Sequence, residues 1–116
     1  MKILNFGSLC IDHVYHVPHF VRPGETLPSR SYQVFAGGKG FNQSVAIASA
    51  GVPVCHAGAI GADGAWLLQT LRRAGGDVAL VRCGATPTGH AVIQINPHGE
   101  NAIVLFPGAN RTISRE

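Results

Sequence analysis

The stretch Ala36-Gly37-Gly38-Lys39-Gly40-Phe41-Asn42-Gln43-Ser44 decides how the chain is read. Three glycines close a run of alternating residues (31–36, SYQVFA) and open a run of helix formers (FNQSVAIASA) that stops at Gly51 with Pro53 just beyond. Glycines at such a strand-to-helix junction let backbone N–H groups approach a ligand, and the helix N-terminus adds partial positive charge. Lys39 and Asn42 project from the same turn, so the segment can hold hydroxyls or an anion. It reads equally well as a glycine-rich turn with no ligand. It is not a Walker A loop, because no G-x-x-x-x-G-K-[ST] occurs, and Gln43 breaks the dinucleotide pattern G-x-G-x-x-G.

Working outward, residues 2–7 (KILNFG) predict a central first strand and 13–17 (HVYHV) a short second one. After the helix, 54–60 predict a buried strand. Asp63 is placed to cap a helix over 64–74 that turns Leu67, Leu68 and Leu71 inward, and 77–82 predict another strand. Residues 88–95 and 102–106 flank Asn96-Pro97-His98-Gly99-Glu100 as a β-hairpin. The alternating middle predicts a parallel α/β sheet. The early strand pair and the late hairpin predict a separate small antiparallel sheet laid over it. The ending, Ile113-Ser114-Arg115-Glu116, reads as a helix start with nothing after it, and an open sheet edge needs a cover. Both suggest part of something larger.

Composition narrows the function. At 116 residues, 46% hydrophobic and 13% charged, the chain is one globular domain. Its formal charge is +3, but the seven arginines, Arg22, Arg30, Arg72, Arg73, Arg82, Arg111 and Arg115, form no stripe, which argues against nucleic acid. No run approaches the length of a membrane span. The odd cysteine count, with no C-x-x-C, points to a reducing cytoplasm, with Cys55 and Cys83 as small core residues. His13, His16 and His19 invite a metal reading, but on a strand His16 points away from the other two, so no metal site is expected. Asp12, just past the first strand, lies where open α/β sheets take ligands and can accept from two sugar hydroxyls; it can also be an ordinary turn or capping residue.

Together these motifs resemble the N-terminal part of the ribokinase-like (PfkB) family of carbohydrate kinases. The resemblance rests on Gly37 to Ser44, then Gly51 and Gly61, on Gly7-Ser8-Leu9-Cys10-Ile11-Asp12, on Pro23-Gly24-Glu25-Thr26, and on Gly99-Glu100-Asn101 with Pro107-Gly108-Ala109-Asn110. It covers essentially all 116 residues. It implies a partial three-layer α/β sandwich with an antiparallel β-sheet lid, built from strands at about 13–17, 31–36, 88–95 and 102–106. Lids of this kind often pair in homodimers. It implies a sugar, ribose or a relative, held by Asp12, Gly38, Lys39, Gly40 and Asn42, with Cys10 standing where the family usually has Asn. It implies ATP, Mg2+ and a monovalent cation such as K+ as cofactors. The family's Gly-Ala-Gly-Asp motif, with the catalytic base, is absent, so no catalytic residue is expected here and the chain alone is expected to be inactive.

Overall fold

A computed structural model describes residues 1–114. The elements run β1 (Ile3–Phe6), β2 (Cys10–His16), β3 (Ser31–Gly37), α1 (Lys39–Ser49), β4 (Val54–Ile60), a 3-10 turn (Ala62–Gly64), α2 (Ala65–Arg73), β5 (Asp77–Cys83), β6 (His90–Ile95), β7 (Asn101–Phe106) and a second 3-10 turn (Gly108–Arg111). They form two sheets in a molecule of 51 × 31 × 18 Å.

The first sheet is parallel, in the order β1-β4-β5. Its strands alternate with α1 and α2, and both helices lie on one face. Ile60 of β4, Val78 of β5, Phe41 of α1 and Leu67 and Leu71 of α2 share one buried cluster with Leu9 and Ile11. Burying side chains of this size contributes about 1.5–3 kcal/mol each, which holds the layers together. Register places Leu4 opposite Cys55, and Phe6 in line with Ala57 and Leu80, on the other face. There Leu4, Phe6 and Leu80 are 63%, 64% and 57% exposed, an apolar face with no layer over it.

The second sheet has the order β3-β2-β6-β7. It was expected to be antiparallel, but β2 and β6 run parallel. Each paired residue of β2 and β6 is 79 positions from its partner, as His16 is from Ile95, and the intervening α/β unit returns the chain in the same direction. The β6–β7 turn is organised by Asn96, whose Oδ1 accepts from the N–H groups of His98 and Glu100 at 3.0 Å.

Other expectations change. β2 begins at Cys10 rather than 13, so Cys10 and Asp12 lie within a strand of the second sheet and not in a turn after β1. Asp63 caps no helix: Gly64 holds that position without a side-chain bond, and the Asp63 carboxylate accepts from the Thr88 N–H at 2.9 Å, tying the α2 turn to the segment that leads into β6. Burial opposes its ionisation, but the bonds from Thr88 outweigh that and hold the carboxyl below the usual range. Cys55 is buried, whereas Cys83, at the end of β5, is exposed. Ile113 and Ser114 are not helical; Arg115 and Glu116, the rest of that predicted helix start, lie outside the described residues. Among the described residues no helix is long and apolar enough to cross a membrane.

Candidate functional site

Between the two sheets lies an open cavity of about 560 Å3, within the range typical of small-molecule sites. One side is polar: Ser8, Asp12, Gly38, Lys39, Asn42, Asn110 and Arg111. The other is apolar, formed by Ala91, Ile93, Ile103 and Leu105 from one face of β6 and β7, with Cys10 and Pro107 at the join.

Two local features build the polar side. The first is the turn into α1. Gly38 has φ of 99°, and a Cβ there would lie 2.6 Å from the Ser8 carbonyl oxygen, so a larger residue would meet both strain and backbone clash. The Phe41 N–H donates to that same Ser8 carbonyl at 2.9 Å, seating the helix start on the β1–β2 crossing. Gly40 does not line the cavity. It packs beneath the turn, where a Cβ would come within 2.5 Å of the Gly7 backbone. The second feature is the strand pair β2–β3. Alternation turns Cys10 and Asp12 to the cavity and His13 and Tyr15 to the opposite face. A Cβ on Gly37 would collide with the Asp12 carboxylate, so that glycine leaves the room the carboxylate occupies.

Cys10 is buried beside Asp12. Desolvation, then the neighbouring carboxylate, pushes its thiol up to about 11, so it is a neutral, weak hydrogen-bonding wall at physiological pH.

The three evenly spaced histidines go separate ways. His13 Nδ1 is 2.7 Å from the Tyr32 hydroxyl, and His19 Nε2 is 3.0 Å from both Glu25 carboxylate oxygens. Among the described residues no three His, Cys, Asp or Glu side chains group as a metal site. Lys39 and Arg111 are the cations on the cavity wall and Asp12 is its one carboxylate, a lining too sparse in acidic groups to hold Mg2+ and well suited to a polyhydroxyl compound.

The sequence reading missed Asn110 as part of the site. Its Oδ1 accepts from the Leu9 N–H at 3.0 Å and its Nδ2 donates to the Leu9 carbonyl at 2.9 Å, like a neighbouring strand. That clip fixes Ser8 and Cys10, on either side of Leu9, from 101 residues away. The only sequence signal was the turn motif Pro107-Gly108-Ala109-Asn110, which marks the exit of a hairpin and not its partner.

The pfkB family carbohydrate kinase pattern matches residues 1–116, the whole chain. The chain belongs to the pfkB carbohydrate kinase family. Similar relatives include ribokinase of Haemophilus influenzae, 41% identical over 111 residues, which span 93% of this chain and 36% of the relative. Among solved structures, ribokinase of Cryptococcus neoformans var. grubii in complex with ADP is 47% identical with a TM-score of 0.86, over 93% of this chain and 35% of that one. Arabidopsis thaliana ribokinase complexed with ribose and ATP is 32% identical with a TM-score of 0.86, over 94% and 36%. The chain thus spans little more than a third of the length of these relatives.

Proposed function

We propose that this chain carries the sugar-binding part of an ATP-dependent sugar kinase, with ribose or a related pentose as substrate. The carrying observation is the cavity with two unlike walls, one polar around Asp12, Gly38, Lys39 and Asn42 and one apolar from β6 and β7. Asp12 accepts bonds from two sugar hydroxyls; Asn42 and Lys39 bond the remaining ones; the apolar wall covers the C–H face of the ring. Cys10 gives that ring no strong partner. The relative solved with ribose and ATP supports the same substrate class.

In this reading the second sheet is a lid, and shutting water out favours transfer to the sugar over hydrolysis. Its outer face carries Val34, Val92 and Val104 in one register row through His13, flanked by Tyr32 and Phe106, all partly exposed. That row suits pairing with the lid of a second copy. Asp12 is the one carboxylate lining the cavity, and this reading commits it to the sugar hydroxyls, which leaves the base and the anion hole for the phosphoryl group to be supplied from elsewhere. We assign those parts, and the sites for ATP, Mg2+ and K+, to an α/β portion equivalent to the relatives' remaining length, laid over the bare face of Leu4, Phe6 and Leu80 in the same cytoplasmic protein. The 116 residues then bind sugar and transfer nothing by themselves.

The test is ADP release with ATP over a panel of pentoses, run on this chain and on this chain joined to the C-terminal two thirds of a family relative. Pentose-dependent ADP release by the joined protein alone is expected. Release by neither, with no pentose bound by either, would refute the reading.

A further inference from the structure

Asn5, Ser44 and His56 form a polar chain inside the apolar layer between α1 and the first sheet. Ser44 and His56 are both 0% exposed. His56 Nε2 lies 3.0 Å from the Gly7 carbonyl, which can only accept, so Nε2 carries the proton. Nδ1, 2.7 Å from Ser44 Oγ, therefore accepts from the hydroxyl. Asn5 Nδ2 donates to Ser44 Oγ and to the Gly40 carbonyl, each at 2.9 Å. The Ser44–His56 pair has the spacing of an activated nucleophile, but both are sealed from solvent, so no substrate reaches them.

What the chain does is hold the α1 turn. It ties the end of β1, through Asn5 and Gly7, to Gly40 and Ser44 of α1 and to β4. Gly40 sits directly behind Gly38, Lys39 and Asn42, in close backbone contact with Gly7. We propose that His56 is a positioning residue for the 38–42 turn, and that its charge state sets the placement of Gly38, Lys39 and Asn42. Its effect on sugar affinity rests on the sugar-site reading above.

The chemistry follows from the partners. A second proton on Nδ1 turns that atom into a donor, so the Ser44 hydroxyl loses its acceptor and must rotate. The added charge finds no counter-ion. β1, α1 and β4 contain no carboxylate, and the groups meeting the imidazole are Ser44, Gly7 and Gly58. The layer is completed by Leu67 and Leu71 of α2 and Val78 of β5. Of the charged groups on these strands and helices, Lys39 faces the cavity, Lys2, just before β1, is bound to Asp77 of β5, and Arg72 and Arg73 of α2 and Arg82 of β5 are exposed to solvent. Cys55 lies on the opposite face of β4. Burial accordingly holds the His56 imidazole below its ordinary range, against a smaller upward pull from the Gly7 bond.

The experiment is a nitrogen-15 NMR titration of the purified protein from about pH 7.5 downward, past the ordinary histidine value near 6.5, until the His56 ring signals show it charged, with ribose affinity measured at both ends. In the wild type, the amides of Gly38, Lys39, Gly40 and Asn42 should move in step with the His56 ring, and ribose should bind at least about threefold more weakly at the acid end. In His56→Gln, a neutral amide makes both bonds and does not titrate; the turn amides and the affinity should then be independent of pH. Should that variant fail to fold, Ser44→Ala removes the Nδ1 partner and should at least halve the response of the turn amides. Turn amides that stay still throughout overturn the proposal, as does an acid response unchanged in His56→Gln or Ser44→Ala. Turn amides that follow His56 in a protein that binds no pentose at the upper pH would uphold the positioning role and refute the sugar site, so the two failures are distinguishable.

Discussion

Replacing Gly37 with Ala tests the site through one methyl group. Gly37 ends β3 opposite Cys10, and its φ lies outside the positive region, so an alanine backbone fits without strain. The new Cβ, however, falls on the Asp12 carboxylate, the end of a side chain that can swing away. Swinging costs about 0.5–1.5 kcal/mol in an off-rotamer conformation. The reduced freedom of the unfolded chain offsets about 0.4–1 kcal/mol of that. Net stability therefore changes by less than about 1 kcal/mol, and Tm by less than about 8 °C. Binding is another matter. A displaced carboxylate loses at least one charge-assisted bond to a sugar hydroxyl, about 1.5–3 kcal/mol, so affinity falls about 10- to 150-fold. Calorimetric titration with ribose, beside thermal unfolding of the same samples, reads both quantities. Undiminished ribose affinity in a folded Gly37→Ala protein would refute the role given to Asp12.

Three other expectations differ in kind. Gly38→Ala adds positive-φ strain to a clash with the Ser8 carbonyl and carbon, which cannot swing aside; it should lose at least about 1–3 kcal/mol, seen as a drop in the urea midpoint, along with sugar binding. Asn110→Ala leaves the N–H and carbonyl of fully buried Leu9 without their partner, at about 1–3 kcal/mol for each group that water does not reach; an unchanged midpoint would show that the clip is dispensable. His56, with its folded-state value depressed by burial, favours the neutral form in the folded state, so its contribution is complete above the ordinary value near 6.5 and is lost as pH falls from there through the depressed one. Urea midpoints should decline over that acid window in the wild type and decline less in His56→Gln.

Local patterns made much of the fold legible. Helix α1 was bounded by its glycines and α2 by its leucine spacing, because each signal lies within the element itself. Long-range choices were not legible. Nothing in HVYHV shows that its strand begins at Cys10, since the three extra residues are strand only because β3 and β6 flank them. The parallel pairing of β2 with β6 is likewise decided by how the intervening α/β unit returns the chain. Asp63 has the chemistry of a cap, and loses that role because Thr88 offers its N–H. In the candidate site, the motif residues Cys10, Asp12, Gly38, Lys39 and Asn42 do line one cavity, while Gly40 serves packing. Asn110 and the Ser44–His56 pair were missed because their partners are distant in sequence and their residue types are common in turns and cores.

The central claim is that a sugar lies between Asp12 and the turn that starts α1. Titration of nitrogen-15-labelled protein with ribose, followed by NMR, tests it most directly. Saturable shifts concentrated at Asp12, Gly38, Lys39 and Asn42, and abolished in Asp12→Ala while that variant stays folded, are predicted. Shifts that do not saturate, or that saturate elsewhere on the surface, would contradict it.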